Sequence, residues 1–149
     1  MDTITATVTG ARHLRVARNG QDAAAAASGP GWAAAAVCDG CSAGAYSEIG
    51  ARLGAALVVA ALARRLAAAE TVEWSEVRAE VVRALAELVD RMGGDRVQAV
   101  VEQFLFTIVA VAAARDGASV CAIGDGAYAF DGATRVLGPF ADNQPPYLG

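Results

Sequence analysis

Residues 22–40 read DAAAAASGPGWAAAAVCDG. Two apolar runs, Asp22 to Ala27 and Trp32 to Val37, flank Ser28-Gly29-Pro30-Gly31, a turn sequence built from the residues that best tolerate tight backbone geometry. Two such runs around one turn predict a β-hairpin. In a hairpin the start of one arm lies beside the end of the other. Asp22 and Asp39 are therefore expected at the same end of a sheet. The stretch continues as Cys41-Ser42, so two chemistries compete there. One is Cys38-x-x-Cys41, a redox or zinc spacing. The other is Asp39-Gly40 at a strand end, a carboxylate next to an unencumbered carbonyl.

Outward from the hairpin, Thr3 to Val8 alternates threonine with apolar residues, which predicts a strand with one buried face. Leu14 to Val16 extends the same reading. From about Ser47 the period changes to that of a helix: Ile49, Leu53, Leu57, Leu62 and Leu66 recur at helical spacing. That segment is apolar on nearly every side, so it is expected to be well buried. Gly50-x-x-x-Gly54 within it reads as close packing. A second helix is expected from Thr71, the expected cap, with Val77, Val81, Leu85, Leu88 and Met92 as its apolar stripe and Gly93-Gly94 as its end. Asp95 to Glu102 has no clear period. Phe104 to Ala114, Val120 to Ile123, Tyr128 to Phe130 and Arg135 to Leu137 read as strands, joined in part by the turn pairs Asp116-Gly117 and Asp131-Gly132. Hairpins of strands with a pair of long helices predict an α+β fold, with helices on one face of an antiparallel sheet.

The length, 149 residues, points to one domain, 1–149, able to bury roughly 70% of its unfolded surface. Much of the 55% hydrophobic content is alanine, so the larger core side chains come from a few clusters of Val, Leu, Ile and Phe. A formal net charge of −4 speaks against nucleic acid as the main partner, because phosphate backbones need a basic face. The most apolar runs, Leu53 to Ala63 and Phe104 to Ala114, are too short to span a bilayer as helices. No targeting pattern is visible at the N-terminus, so a cytoplasmic location and no membrane partner are the expectation. Three cysteines, an odd number, do not suggest a disulfide framework.

Each chemical motif has a plain structural alternative. A reactive Cys-x-x-Cys needs a lowered thiol pKa, and Asp39 beside Cys38 works against a thiolate. Cys38, Cys41, Cys121 and His13 supply four zinc ligands in number, but their spacing does not support a site. The cysteines read as small buried hydrophobes. His13, the only histidine, reads most simply as a hydrogen-bonded structural residue. Asp116 and Asp131 read as turn residues. Asp22, Asp39 and Asp125, the last in Gly124-Asp125-Gly126 after a strand, remain open as a carboxylate set for a hard cation such as Mg2+ or Mn2+.

Gln21-Asp22-Ala23, Val37-Cys38-Asp39-Gly40-Cys41-Ser42, Ser47-Glu48-Ile49-Gly50-Ala51-Arg52-Leu53 and Ile123-Gly124-Asp125-Gly126 together resemble the metal-dependent protein phosphatases of the PP2C type. The likeness is to a bacterial branch in which Asp-Gly-Cys-Ser stands where Asp-Gly-His-Gly is more usual, and in which Gly-x-x-His, here Gly10 to His13, precedes Gln-Asp. It covers nearly the whole chain. It implies a four-layer αββα sandwich and hydrolysis of phosphoserine or phosphothreonine on proteins by a metal-activated water. The cofactors implied are two Mn2+ or Mg2+ ions. By the same resemblance, Asp39 bridges the two ions, the Gly40 carbonyl ligates one, Asp22 holds a metal-bound water and Asp125 serves a weaker further ion. Asp39 and Asp22 are thus the implied catalytic pair. The phosphate-binding arginine is not cleanly placed; Arg15, Arg18 and His13 are the candidates.

Family members carry a later Asp-Gly and a final Asp-Asn that complete the second metal. Asp142-Asn143 has the right letters but comes too early and reads as a turn. The chain is thus expected to hold the N-terminal part of such a domain, with exposed sheet edges that favour self-association. The alternative is a non-catalytic PP2C-like module that binds a partner or a phosphorylated ligand.

Overall fold

The computed structural model describes residues 1–148. The hairpin forms as read, with strands β1 (Asp22–Gly29) and β2 (Trp32–Gly40). Gly29 pairs with Trp32 across Pro30-Gly31, and Gly31 has φ +83°, a conformation that costs glycine little. Strands β3 (Phe106–Ala114) and β4 (Gly117–Ile123) form a second hairpin around Arg115-Asp116. The four strands make one antiparallel sheet in the order β1-β2-β3-β4. β5 (Gly126–Phe130) and β6 (Ala133–Leu137) form a separate two-stranded ribbon. Its turn residues Asp131 and Gly132 have φ +50° and +74°, the double positive φ that Asp-Gly favours in a hairpin.

The helices are α1 (Ala11–Arg15), α2 (Ser47–Ala67), α3 (Trp74–Met92) and α4 (Arg96–Ala99). The last runs directly into a wide helical turn, Val100–Phe104. The α+β class is thus observed, with α2 packed directly against the four-stranded sheet and α3 against α2. Alternation along the strands decides which side chains meet the helices. Ala34, Ala36 and Cys38 from β2, with Phe106, Ile108, Ala110 and Ala112 from β3, are buried. The opposite face carries Val37, which is 50% exposed, and Asp39.

Small residues determine how α2 packs. Of the expected leucine stripe only Leu62 is fully buried. The helix buries Gly50, Ala51, Gly54, Ala55, Val58, Val59, Ala61 and Leu62, while Ile49 stays 40% exposed and Leu53, Leu57 and Leu66 are only partly covered. An alanine-rich sheet face against a Gly/Ala helix face brings the two backbones close, and that side becomes the core. The ring of Phe106 fills the notch above Gly54, and the backbone of Gln103 and Phe104 fills the one at Gly50. On α3 the buried stripe is Val77, Val81, Leu85 and Val89, a strict step of four. Leu88 and Met92 fall off it, at 36% and 50% exposure. Glu80 on α3 binds Arg64 at 2.7 Å and Arg65 at 3.0 Å on α2. The Arg64 hydrogen bond is the main cause holding the Glu80 carboxyl below its usual range.

Three expectations about elements are corrected. Thr3–Val8 is not a strand: Ile4 and Val8 are 97% and 84% exposed, and no strand pairs with the segment among the described residues. Alternation is a local signal, whereas a strand needs a ladder partner. Leu14 to Val16 does not continue an extended chain, because Leu14 lies in α1. Thr71 does not cap α3. That helix starts at Trp74, and the Glu73 carbonyl accepts from the N–H groups of Glu76 and Val77.

Gly54→Ala tests the close packing. Alanine gains about 1 kcal/mol of helix preference, but the new methyl would enter a fully buried ring that has nowhere to move. Overpacking of this kind costs about 1–3 kcal/mol. A lower urea midpoint at unchanged slope is expected. A midpoint at or above that of the wild type would show that Phe106 has room to yield.

Candidate active site

The register Asp22↔Asp39 places the two carboxylates on paired positions at one sheet end. Thr107 of β3 pairs with Asp39, and the Gly124-Asp125 turn after β4 returns to the same end. Gly124 has φ +95°, and a Cβ there would press on the Thr107 side chain and come within 2.9 Å of the Pro146 carbonyl. Only glycine makes this turn without strain, and the turn brings Asp125 to the others. The three aspartates, with Gly40, His13, Gln21 and Tyr147 among their neighbours, line a cleft of about 260 Å³.

Gln21 builds the floor. It is buried, and its Nε2 donates to Ser47 Oγ at 2.6 Å and to the Cys41 carbonyl at 3.2 Å, with the Gly44 carbonyl at 3.4 Å. Its own carbonyl accepts from Gly40 N–H at 3.2 Å. A Cβ on Gly40 would lie 2.8 Å from Ser47 Oγ and 2.9 Å from the Gln21 carbonyl, so the chain can pass here only as glycine. Asp39-Gly40 is thereby held between the start of β1 and the start of α2. The role of Gln21 was not legible as chemistry in the sequence; its position beside Asp22 was the only signal.

Electrostatics single out Asp39. Its pKa is pushed up to about 6, first by lost hydration, then by a hydrogen bond to Asp22, then by the charges of Asp22 and Asp125. None of the three aspartates has a basic partner in an ion pair among the described residues. The site is thus a concentration of negative oxygen ligands without a counter-charge. Among the described residues no three His, Cys, Asp or Glu side chains converge tightly enough to hold a metal by themselves. A cation here would need backbone carbonyl and water to complete its shell, as Mg2+ commonly does.

The two cysteines of Cys-x-x-Cys separate. Cys38 faces the helices, 3% exposed, and burial pushes its thiol up to about 12. Cys41 lines the cleft instead. Neither the redox nor the zinc pattern is realised as a pair. The tail brings a residue that sequence reasoning did not select. Tyr147 lines the cleft, and its hydroxyl is pushed up to about 12 by a hydrogen bond to Cys41, by lost hydration and by the charges of Asp125 and Asp39.

The phosphate-binding candidates are distributed unevenly. His13 lies at the cleft, with Nδ1 at 2.7 Å from the Asn19 carbonyl, which can only accept. Arg18 donates to the Ala45 carbonyl at 2.9 Å and, with His13 and Arg12, lines an adjoining hollow of about 190 Å³. Arg12 was not among the sequence candidates. Arg15 is exposed and lines neither space.

Asp22, Asp39, Asp125 and Gly40 thus line one cleft at a single end of the sheet of an α+β chain. A family model, Protein phosphatase 2C, matches residues 9–148. The chain belongs to the Protein phosphatase 2C family, whose activity is that of a phosphatase-type hydrolase. No curated protein and no solved structure matches it. No helix among the described residues is long and apolar enough to cross a membrane.

Two predictions follow from the geometry of this site. A carboxyl whose pKa rises on folding favours the fold below its unfolded value near 3.8, and that contribution is lost as pH rises through about 6. The metal-free protein should therefore lose melting temperature between pH 4 and 7 by an amount that Asp39→Asn removes; equal pH profiles would show that Asp39 carries no such shift. Gln21→Ala leaves the Ser47 hydroxyl and the loop carbonyls without their donor. It should cost about 1–3 kcal/mol in denaturant unfolding and increase amide exchange over 40–47.

Proposed function

We propose that this protein hydrolyses phosphoserine and phosphothreonine on proteins with Mn2+ or Mg2+ as cofactor. The observation that carries the reading is that Asp22, Asp39 and Asp125, from three separate segments, line one cleft. The donor set is all oxygen, hard and without a basic partner among the described residues, and lost hydration together with the neighbouring carboxylates pushes the Asp39 carboxyl up. Asp39, Asp22, Asp125 and the Gly40 carbonyl would hold the ions. Bound there, the ions would lower the cost of water attack on phosphorus and neutralise charge on the phosphoryl oxygens.

The residues of the chain have defined tasks in this reading. Asp22 and Asp39 accept protons from water and orient it. Gln21 and Gly40 keep the Asp39 backbone in place. Arg12 and Arg18, which line the hollow beside His13, supply positive charge next to the acidic cleft, on the side where a phosphorylated peptide would approach.

Asp39→Asn in the complete protein should abolish Mn2+- or Mg2+-dependent release of phosphate from a phosphopeptide while leaving the fold intact by circular dichroism. Unchanged turnover would remove Asp39 from the chemistry. The second reading, a module that binds a phosphorylated partner without turnover, is favoured by one observation: among the described residues no three ligating side chains come close enough to hold a metal by themselves. Mn2+ binding without phosphate release from any phosphopeptide would select it.

A further inference from the structure

The segment Gln144–Leu148 crosses the end of the sheet as an anchored strap. Leu148 is 4% exposed and belongs to the main core, and its N–H donates to the Phe106 carbonyl at 3.0 Å. Pro145 is buried, and the Pro146 carbonyl lies against Gly124, whose turn carries Asp125. Tyr147 sits between these anchors, so its direction is set by the fold on both sides. Two consecutive prolines before it restrict the chain further.

The cleft needs such a residue. A phosphate drawn to cations over three carboxylates still requires neutral donors that add no negative charge. The Gln21 amide is committed to Ser47, Cys41 and Gly44 and Thr107 is buried at 4% exposure, which leaves Ser42 and Tyr147 as the accessible hydroxyls lining the cleft. Tyr147 lines the same cleft, and its phenol is a neutral donor that a charged phosphoryl oxygen accepts from strongly.

We propose that Tyr147, held in the cleft with Asp39, Gly40 and Cys41 by the 144–148 strap, is a substrate-positioning residue whose hydroxyl donates to a phosphoryl oxygen. This rests on the phosphoester reading of the same cleft. The bond forms with bound substrate and with bound phosphate alike, so it acts on affinity rather than on the chemical step.

The test is Tyr147→Phe in the complete, Mg2+-loaded protein. It keeps the ring and removes the hydroxyl. Inorganic phosphate binding by calorimetry should weaken about tenfold, the size of one hydrogen bond to a charged oxygen. KM for a phosphopeptide should rise in parallel, with kcat within about twofold and the melting temperature unchanged. Wild-type phosphate affinity and KM in a folded variant would overturn the proposal and leave the phosphatase reading standing. Phosphate binding that depends on Tyr147 without any turnover would uphold the proposal and overturn that reading. A wild type that binds no phosphate and has no turnover would overturn both. A lower KM would also overturn the proposal, because it would make the hydroxyl an obstacle.

Discussion

The register of one hairpin organises this molecule. Asp22 opposes Asp39 because Pro30-Gly31 closes the turn between Gly29 and Trp32. A slip by a single residue would turn Asp39 into the helix-facing core and bring Cys38 into the cleft. That slip is opposed by both faces at once. Ala34, Ala36 and Cys38 are small and apolar where α2 approaches, and a carboxylate buried there would have no partner. Gly40 is needed where Ser47 and Gln21 crowd the chain. The site is therefore a by-product of the packing that stabilises the sheet, and disturbing either disturbs the other.

Alanine is the means by which this packing works. A Gly/Ala helix face on an Ala sheet face buries little area per residue but allows close approach, so many atoms gain contact without large side chains. The few large groups, Phe106, Ile108, Leu62 and the valines of α2 and α3, then fill the remaining space. Phe106 is central twice over. Its ring occupies the notch at Gly54, and its carbonyl anchors Leu148, so the core and the strap that carries Tyr147 share one residue.

The parts legible in the sequence were those fixed by neighbours in the chain. The Asp22–Gly40 hairpin, the Asp131-Gly132 turn and the existence of the two long helices follow from turn chemistry and period. Asp39 was legible because the turn sets its partner. Other features depend on distant partners and were not. Thr3–Val8 alternates correctly yet has no strand partner among the described residues. The buried face of α2 is decided by the alanines of β2, so of the leucine stripe only Leu62 lies at its centre, while Leu53, Leu57 and Leu66 pack at its border. Gln21 acts through Ser47 and the carbonyls of a loop, and Tyr147 arrives from a tail more than a hundred positions after Asp39 in the sequence. Neither has a local signature. Arg12, Arg15 and Arg18 are close in sequence, and only the path of α1 separates those near the cleft from Arg15.

The central claim is that Asp22, Asp39 and Asp125 act as one cation site. Calorimetric titration with Mn2+ tests it directly when each aspartate is changed in turn to asparagine and Asp131→Asn, in the turn of the β5–β6 ribbon, serves as reference. The account predicts weaker Mn2+ binding for all three cleft variants, with the largest loss at Asp39, and wild-type binding for the reference. Mn2+ affinity that is the same in the cleft variants and the reference would contradict it.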